Sequence, residues 1–233
     1  VTPYRAYVKD NIRMGPRRLK VVVDAGNGTG GVVAVPLFQS LGIEVVPLFV
    51  EMDGRFPNHH PDPAVEANLS HLKAAVAEAR ADLGIAYDGD ADRVGAVDEK
   101  GQVLWGDQLM ILFSRSVLAE HPGAAIVGEV KCSMTLYDDI ARHGGRPIMW
   151  KAGHSLIKAK MKEEGALLAG EMSGHIFFGH RWFGFGDGIY SSARLLELVS
   201  RTDRPVSALL SDVPRTFSTP EIRVDCPEDL KFE

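Results

Sequence analysis

Short apolar runs alternate along the chain with longer segments in which hydrophobic residues recur every three or four positions. The short runs predict buried strands, and the longer segments predict amphipathic helices. In the first half the pattern gives the order β-α-β-α-β-β. The predicted strands are Leu19–Asp24, Ile43–Val50, Asp82–Tyr87 and Val94–Val97, and the predicted helices are Val32–Leu41 and Val65–Ala79.

The second half repeats this rhythm. Its predicted helices are Asp107–Leu118, Met134–His143, Ser155–Glu164 and Gly188–Val199, and its predicted strands are Ala125–Glu129, Pro147–Trp150, Ala166–Gly170 and His175–Phe178. The two halves together predict an α/β fold of two similar three-layer domains, each a mixed four-stranded sheet flanked by helices. Before them, Tyr4, Val8 and Ile12 at helical spacing predict a lead-in helix that ends near Gly15-Pro16. After them, residues 200–218 predict a linker, and Glu221–Asp225 predicts one more strand.

Composition narrows the class of protein. The 233 residues are 45% hydrophobic and 24% charged, with a formal net charge of −5, which is ordinary for a folded enzyme and unlike a disordered or fibrous chain. The scattered basic residues and mild acidity argue against nucleic acid or an anionic membrane as partner. Cys132 and Cys226 are far apart and have no metal-site spacing, so a reducing compartment, the cytoplasm, is expected. The sequence also has neither an apolar run of about 20 residues nor a signal-peptide pattern.

An acidic loop carries the first chemical signal. Asp88, Asp90 and Asp92 occupy alternate positions between two predicted strands. Three carboxylates in a small volume need a cation, and such hard oxygen ligands favour Mg²⁺, Mn²⁺ or Ca²⁺ over Zn²⁺, with Mg²⁺ the first choice. A solvated acidic turn is the alternative without a metal.

An EF-hand is a second alternative for the same loop, because Glu99 stands at the twelfth position counted from Asp88. The sixth position of that motif requires glycine. Here it is Arg93, and a strand pattern follows directly.

A glycine-rich turn follows the first predicted strand. Gly26, Gly28 and Gly31 fit the Gly-x-Gly-x-x-Gly spacing of a dinucleotide-binding fold, with Glu44 or Glu51 about twenty residues on. An oxidoreductase that binds NAD is therefore one candidate. Because neither acid clearly ends the second strand and the acidic loop stays unexplained, a tight turn is the favoured interpretation.

A second polar loop follows the third strand of the second half, in the position that the acidic loop has in the first. Ligands of open α/β sheets bind beyond the carboxyl ends of the strands, so both loops are candidate sites. Glu171, Ser173 and His175 suit the hydroxyl groups of a sugar. Candidate phosphate or sugar contacts are Lys131, Lys151 and the Ser155 region, where His154 follows Gly153 at a predicted helix start. The alternatives are that His154 only caps a helix and that Lys131 is a solvated strand end.

Two further segments receive structural interpretations. His59 and His60 lie between Pro57 and Pro61, which favours a rigid loop over a metal site. The aromatic segment Arg181–Phe185 is expected to pack beneath the site, with stacking of Trp182 on a ligand as the alternative.

Five segments in this order resemble the α-D-phosphohexomutase superfamily: Val21–Gly28, Pro57–Pro63, Asp88–Gly95, Gly153–Ser155 and Gly170–His175. The resemblance implies that the three aspartates of the acidic loop bind one Mg²⁺ and that Arg93 contacts the reacting phosphoryl group. It also implies that Glu171 and Ser173 bind sugar hydroxyls, and that Gly153, His154, Lys131 and His175 contact the substrate. Arg93, His154, His175 and Lys131 are the implied catalytic residues, and Met172 resembles the glucose/mannose subgroup.

The resemblance further implies an activity and a domain plan. Superfamily members interconvert hexose 1-phosphate and hexose 6-phosphate through a phosphoserine and a hexose 1,6-bisphosphate, and they have four domains. Residues 1–17 would be a linker helix from a missing first domain, 18–104 domain 2, 105–214 domain 3, and 215–233 a linker with the first strand of a truncated fourth domain. The phosphoserine motif of the first domain and the phosphate-binding loop of the fourth would be absent. The expected partners are a phosphosugar and those two domains, and a non-catalytic sugar-phosphate binding module is the alternative.

Overall fold

The computed structural model describes residues 1–214, Thr216 and Pro227. The predicted strand at Glu221–Asp225 and Cys226 lie outside the described residues. The first half contains the helices α1 (Thr2–Asn11), α2 (Gly31–Ser40) and α3 (Ser70–Ala79), and the strands β1 (Lys20–Asp24), β2 (Glu44–Leu48), β3 (Leu83–Tyr87), β4 (Val94–Asp98) and β5 (Val103–Leu104). The second half contains α4 (Gly106–Glu120), α5 (Met134–Arg142), α6 (His154–Glu164) and α7 (Gly188–Ser200), and β6 (Ala125–Glu129), β7 (Arg146–Trp150), β8 (Leu168–Gly170) and β9 (Ile176–Phe178).

The first sheet has the strand order β2-β1-β3-β4-β5. The strand β1 runs parallel to β2 and β3, whereas β4 and β5 are antiparallel additions. This sheet therefore has one strand more than the predicted four. The strand β5 is only two residues long and folds back on β4 through a turn at Gly101, whose φ is +79°. A two-residue strand is too short to produce a hydrophobic period.

The second sheet has the predicted four strands, in the order β7-β6-β8-β9. Again the first three strands are parallel and the last is antiparallel. In each half the polar loop joins the last parallel strand to its antiparallel neighbour, β3 to β4 and β8 to β9. The repeat expected from the sequence is thus present, and it places the two loops at equivalent positions.

One cluster of buried apolar side chains runs through both halves, from Leu37 and Tyr87 to Phe178 and Tyr190. Beside it the Tyr87 hydroxyl lies 2.5 Å from the Ser192 hydroxyl of α7, in a fully buried position. No helix in the described part of the chain has the length and apolar character that crossing a bilayer requires.

The helix α1 packs on the second half of the chain. The Tyr4 hydroxyl donates to an Asp187 carboxylate oxygen at 2.9 Å, and the Arg13 N–H donates to Glu197 at 2.7 Å. The helix ends at Asn11, earlier than the predicted Gly15, because Ile12 is already extended with φ −79° and ψ 132°. The bond from Arg13 to Glu197 replaces the next helical hydrogen bond.

Candidate active site

The acidic loop brings three carboxylates together at the carboxyl end of β3. Oxygen atoms of Asp88, Asp90 and Asp92 lie within 4.8 Å of one another. Asp88 is 4% exposed, whereas Asp90 is exposed, so the loop is not wholly solvated. Ala91 adopts a left-handed φ of 62°, so the loop reverses tightly into β4. All the donor atoms of this loop are oxygens, and Asp90 is accessible to solvent. Such a set fits Mg²⁺, which binds oxygen ligands and usually keeps several waters.

Arg93 links this loop to a second segment. Its Nε donates to Asp88 Oδ2 at 2.8 Å, and one terminal nitrogen donates to Asp62 Oδ1 at 3.0 Å. Burial alone would lower the pKa of Arg93, but the two carboxylates outweigh it and raise the pKa. The guanidinium is therefore held charged and oriented beside the acidic loop. Sequence reasoning did not select Asp62 individually, although it lies inside the motif Pro57–Pro63.

The geometry excludes the EF-hand. Glu99, the required twelfth ligand, turns away from the loop and accepts the Ser207 N–H at 3.1 Å. The residues between Arg93 and Glu99 form β4, where an EF-hand loop would still be irregular.

The glycine-rich turn packs against the acidic loop. The Thr29 N–H donates to Gly89 O at 2.9 Å, and a Cβ on Gly28 would lie 2.6 Å from that same oxygen. Gly26 has a φ of +51°, which glycine adopts readily. The space that a pyrophosphate would need is thus filled by protein backbone, and the glycines serve the tight turn.

The loop of His59 and His60 is a structural support of that turn. His59 Nε2 lies 3.1 Å from an oxygen of the fully buried Asp24. Asn58 donates to Asn27 Oδ1 in the turn at 2.7 Å. These contacts agree with the rigid loop favoured from the flanking prolines.

The second polar loop is organised around Glu171. Its Oε1 accepts the Gly153 N–H at 2.7 Å, and its Oε2 lies 3.0 Å from His175 Nδ1. Burial would raise the pKa of Glu171, but the bonds from His175 and Gly153 outweigh burial and lower it. Burial would lower the pKa of His175, but the carboxylates of Glu171 and Asp92 outweigh burial and raise it. Ser173 Oγ lies 3.0 Å from the same Nδ1.

The acidic loop and the Glu171 loop meet. Arg93 and His175 form an antiparallel bridge between the two sheets, and the Val94 N–H donates to Gly174 O at 3.1 Å. His175 Nε2 lies 3.1 Å from Asp92 Oδ1. The candidate metal ligands and the candidate sugar ligands thus line one site, built from both halves of the chain.

Of the remaining predicted residues, Gly153, His154 and Lys131 border this site, whereas Lys151 is exposed. Gly153, with a φ of 123°, precedes α6 and offers its N–H to Glu171. The ring of His154 lies 5.7 Å from the ring of His175, and the start of α6 has no side-chain cap. Lys131 Nζ lies 3.6 Å from Glu129 Oε1. The structure thus brings Lys131 and His154 to the site, together with one carboxylate, Glu129, that the sequence did not single out.

Trp182 packs inside the protein, as favoured from the sequence, but the expected packing of the whole segment Arg181–Phe185 is wrong, because Phe183 and Phe185 are exposed. Trp182 is 8% exposed and stacks on Tyr190 with ring centroids 4.0 Å apart. One face of the Trp182 ring is thus covered by Tyr190, which favours packing over stacking on a ligand.

Comparison with known proteins identifies both halves. The sequence profile described as phosphoglucomutase/phosphomannomutase, alpha/beta/alpha domain II, matches residues 2–101, and that of domain III matches residues 105–217. A phosphomannomutase/phosphoglucomutase of Pseudomonas putida is 56% identical over 216 residues, which are 93% of this chain and 47% of that protein. A phosphoglucomutase of Neisseria meningitidis serogroup A is 48% identical over 225 residues, 97% of this chain and 48% of that protein.

Solved structures agree. The crystal structure of a phosphoglucomutase/phosphomannomutase family protein from Burkholderia thailandensis matches with a TM-score of 0.90 and 50% identity, covering 94% of this chain and 47% of that one. The chain thus spans about half the length of the curated relatives it matches. The resemblance to the α-D-phosphohexomutase superfamily is confirmed. The chain belongs to the phosphoglucomutase/phosphomannomutase family, of which it contains the α/β/α domains II and III.

Proposed function

We propose that this chain forms the metal-binding and sugar-binding parts of the catalytic centre of a phosphohexomutase. The whole protein would interconvert hexose 1-phosphate and hexose 6-phosphate of glucose or mannose, through a phosphoserine and a hexose 1,6-bisphosphate. The observation that carries the proposal is the bridge between Arg93 and His175, which joins the two loops into one site.

The acidic loop would hold one Mg²⁺ through Asp88, Asp90 and Asp92. A bound Mg²⁺ would offset the negative charge of phosphoryl oxygens during transfer. Arg93 would add a fixed positive charge beside the metal, because Asp88 and Asp62 hold the Arg93 guanidinium in place. Positioning and charge neutralisation account for most of the catalysis of phosphoryl transfer.

The Glu171 loop would bind the sugar. Glu171 and Ser173 would accept and donate hydrogen bonds to ring hydroxyls, and Lys131 and His154 would contact the phosphate. His175, held between carboxylates of the two loops, is a candidate for proton transfer. Because both the 1-phosphate and the 6-phosphate react, these groups would accept the sugar in two orientations.

The other parts of the proposed protein follow the four-domain plan. Residues 1–17 would be the linker helix from the first domain, which carries the phosphoserine, and 18–104 and 105–214 would be domains 2 and 3. Residues 215–233 would lead into the fourth domain. The supporting observation is that the curated relatives are about twice as long as this chain. The cytoplasm is the proposed location, and Met172 favours glucose and mannose over glucosamine.

Isothermal titration of the chain with glucose 6-phosphate, with and without MgCl₂, tests the binding part of this proposal. Turnover is tested by adding the phosphoserine domain, glucose 1-phosphate and catalytic glucose 1,6-bisphosphate, or by assaying the joined protein. Binding followed by turnover supports the mutase. Binding without turnover in the joined protein supports the sugar-phosphate binding module, and the absence of binding in the joined protein contradicts both.

A further inference from the structure

Glu129 is a buried carboxylate at the site, and neither the sequence motifs nor the proposed function gives it a role. It is the last residue of β6, which lies between β7 and β8, and it is 1% exposed. Its Oε1 accepts the Met172 N–H at 2.8 Å and lies 3.6 Å from Lys131 Nζ. Burying a carboxylate is unfavourable unless it is paired and hydrogen-bonded. These two contacts therefore offset the cost of burying Glu129.

The partners of Glu129 belong to two different segments of the site. Met172 stands in the Glu171 loop, and Lys131 follows β6. The backbone of Glu129 is itself held, because its carbonyl oxygen accepts the Tyr137 hydroxyl at 2.6 Å and the Cys132 N–H at 3.0 Å. One carboxylate on a held backbone therefore lies against both the Lys131 amine and the Glu171 loop.

The two members of the pair differ in access to solvent. The side chain of Lys131 is 49% exposed, whereas that of Glu129 is 1% exposed. The amine can therefore reach a ligand, but the carboxylate cannot. A free lysine side chain loses rotamer entropy when it is immobilised. Restraining the amine before the ligand arrives reduces that loss.

We propose that Glu129 is a positioning residue, which holds the Lys131 amine beside the Glu171 loop so that it meets the phosphate of a sugar phosphate. The contribution to ligand binding rests on the proposed function, whereas the restraint of Lys131 does not. Glu129 acts through Lys131 and does not touch the ligand itself.

The variant Glu129→Gln separates this role from simple support of the loop. Glutamine keeps an oxygen that can accept the Met172 N–H but loses the charge that restrains Lys131. Asp107→Asn is the matched control, because Asp107 is also a buried carboxylate, 6% exposed, and accepts the neighbouring Ser133 N–H at 3.0 Å. Lys131→Met removes the amine at a half-exposed position and is compatible with folding.

Titration with glucose 6-phosphate of each variant, with and without Lys131→Met, measures the energetic coupling between Glu129 and Lys131. We expect Glu129→Gln to weaken binding about tenfold in the wild-type background and less than about twofold when Lys131→Met is already present. Asp107→Asn should weaken binding less than about twofold in either background. An equal loss from Glu129→Gln with and without Lys131 would overturn the proposal, because it would show that Glu129 only supports the loop.

A measurement without ligand decides the restraint itself. In ¹³C-resolved NMR spectra of the wild-type chain, the two Hε protons of Lys131 should have separate shifts, whereas those of the exposed Lys151 should coincide. The separation should disappear in Glu129→Gln and persist in Asp107→Asn. Coincident Lys131 signals in the wild-type chain would overturn the proposal even if Glu129→Gln failed to fold. Separate signals in the chain, together with no glucose 6-phosphate binding by the joined protein, would support the restraint while contradicting the proposed function.

Discussion

His175 and Asp92 are in polar contact between the two halves of the chain, with His175 Nε2 3.1 Å from Asp92 Oδ1. The other ring nitrogen of His175 lies 3.0 Å from Glu171 Oε2. One imidazole therefore contacts both a candidate metal ligand and a candidate sugar ligand. This contact makes the geometry of each loop depend on the other.

Gly174→Ala should separate the two loops. Gly174 has a φ of +96°, and a Cβ there would lie 2.4 Å from Val94 O. We expect a loss of about 3 kcal/mol in the free energy of unfolding and the loss of glucose 6-phosphate binding. Gly144→Ala is the matched control, because Gly144 also has a positive φ, +77°, but open space around it. Gly144→Ala should lower the free energy of unfolding by about 1 kcal/mol and leave glucose 6-phosphate binding unchanged. Urea denaturation and calorimetric titration measure the two quantities. Equal costs at the two positions would contradict the close packing of the loops.

Asp90→Asn should weaken metal binding without affecting the fold. Asp90 is exposed, so its substitution removes one oxygen charge from the acidic loop and little packing. We expect the Mg²⁺ affinity measured by calorimetry to fall about tenfold or more, with the melting temperature unchanged. Asp138→Asn, at an exposed position of α5, removes the same charge elsewhere and should leave the affinity as it was. If both variants bind Mg²⁺ like the wild type, the acidic loop is not the metal site.

Glu171→Gln should weaken sugar binding more than it weakens folding. The amide oxygen can still accept the Gly153 N–H, but the charge that pairs with His175 is lost. Charge-assisted hydrogen bonds are roughly twice as strong as neutral ones, so we expect glucose 6-phosphate to bind about ten to a hundred times more weakly. Glu163→Gln changes a surface ion pair on α6 and serves as control. Wild-type affinity in Glu171→Gln would remove Glu171 from the binding site.

His180 should make the chain less stable in mild acid. Burial, followed by the nearby Arg194 guanidinium, lowers the pKa of His180 to about 4. Arg194 donates to His180 Nδ1 at 3.1 Å, so this nitrogen accepts and the proton stays on Nε2, which faces Glu120. The unfolded chain takes up a proton near pH 6.5 and the folded chain does not, so stability falls as the pH drops from about 6.5 towards 4, by about 2–3 kcal/mol.

Denaturation of His180→Gln across this pH range isolates that contribution. The difference in unfolding free energy between wild type and variant should shrink from pH 7 to pH 5. His60→Gln, at an exposed histidine in the first half of the chain, should run parallel to the wild type. A wild-type-to-His180→Gln difference that stays constant with pH would refute the lowered pKa.

The strands and the position of the site could be predicted because they depend on local patterns. The strands β1 and β6 are buried on both faces and therefore appear as continuous apolar runs. The two polar loops follow the last parallel strand of each sheet, where α/β folds bind ligands. The strand β5 was missed because two residues carry no period.

Contacts between distant residues could not be predicted in this way. Asp62 meets Arg93 across 31 positions, and Glu129 meets Met172 across 43. Each pair depends on how separate elements pack, so no spacing in the sequence marks it. The early end of α1 also depends on a contact between distant residues, because the Arg13 N–H donates to Glu197 of α7.

The central claim is that the acidic loop and the Glu171 loop form one site, and paramagnetic broadening by Mn²⁺ tests it most directly. Mn²⁺ prefers the same oxygen ligands as Mg²⁺ and broadens the NMR signals of nearby amides. Bound at Asp88, Asp90 and Asp92, it should broaden the amide signals of Ser173 and His175, and Asp90→Asn should abolish the effect. Broadening confined to the acidic loop, with sharp Ser173 and His175 signals, would contradict a shared site.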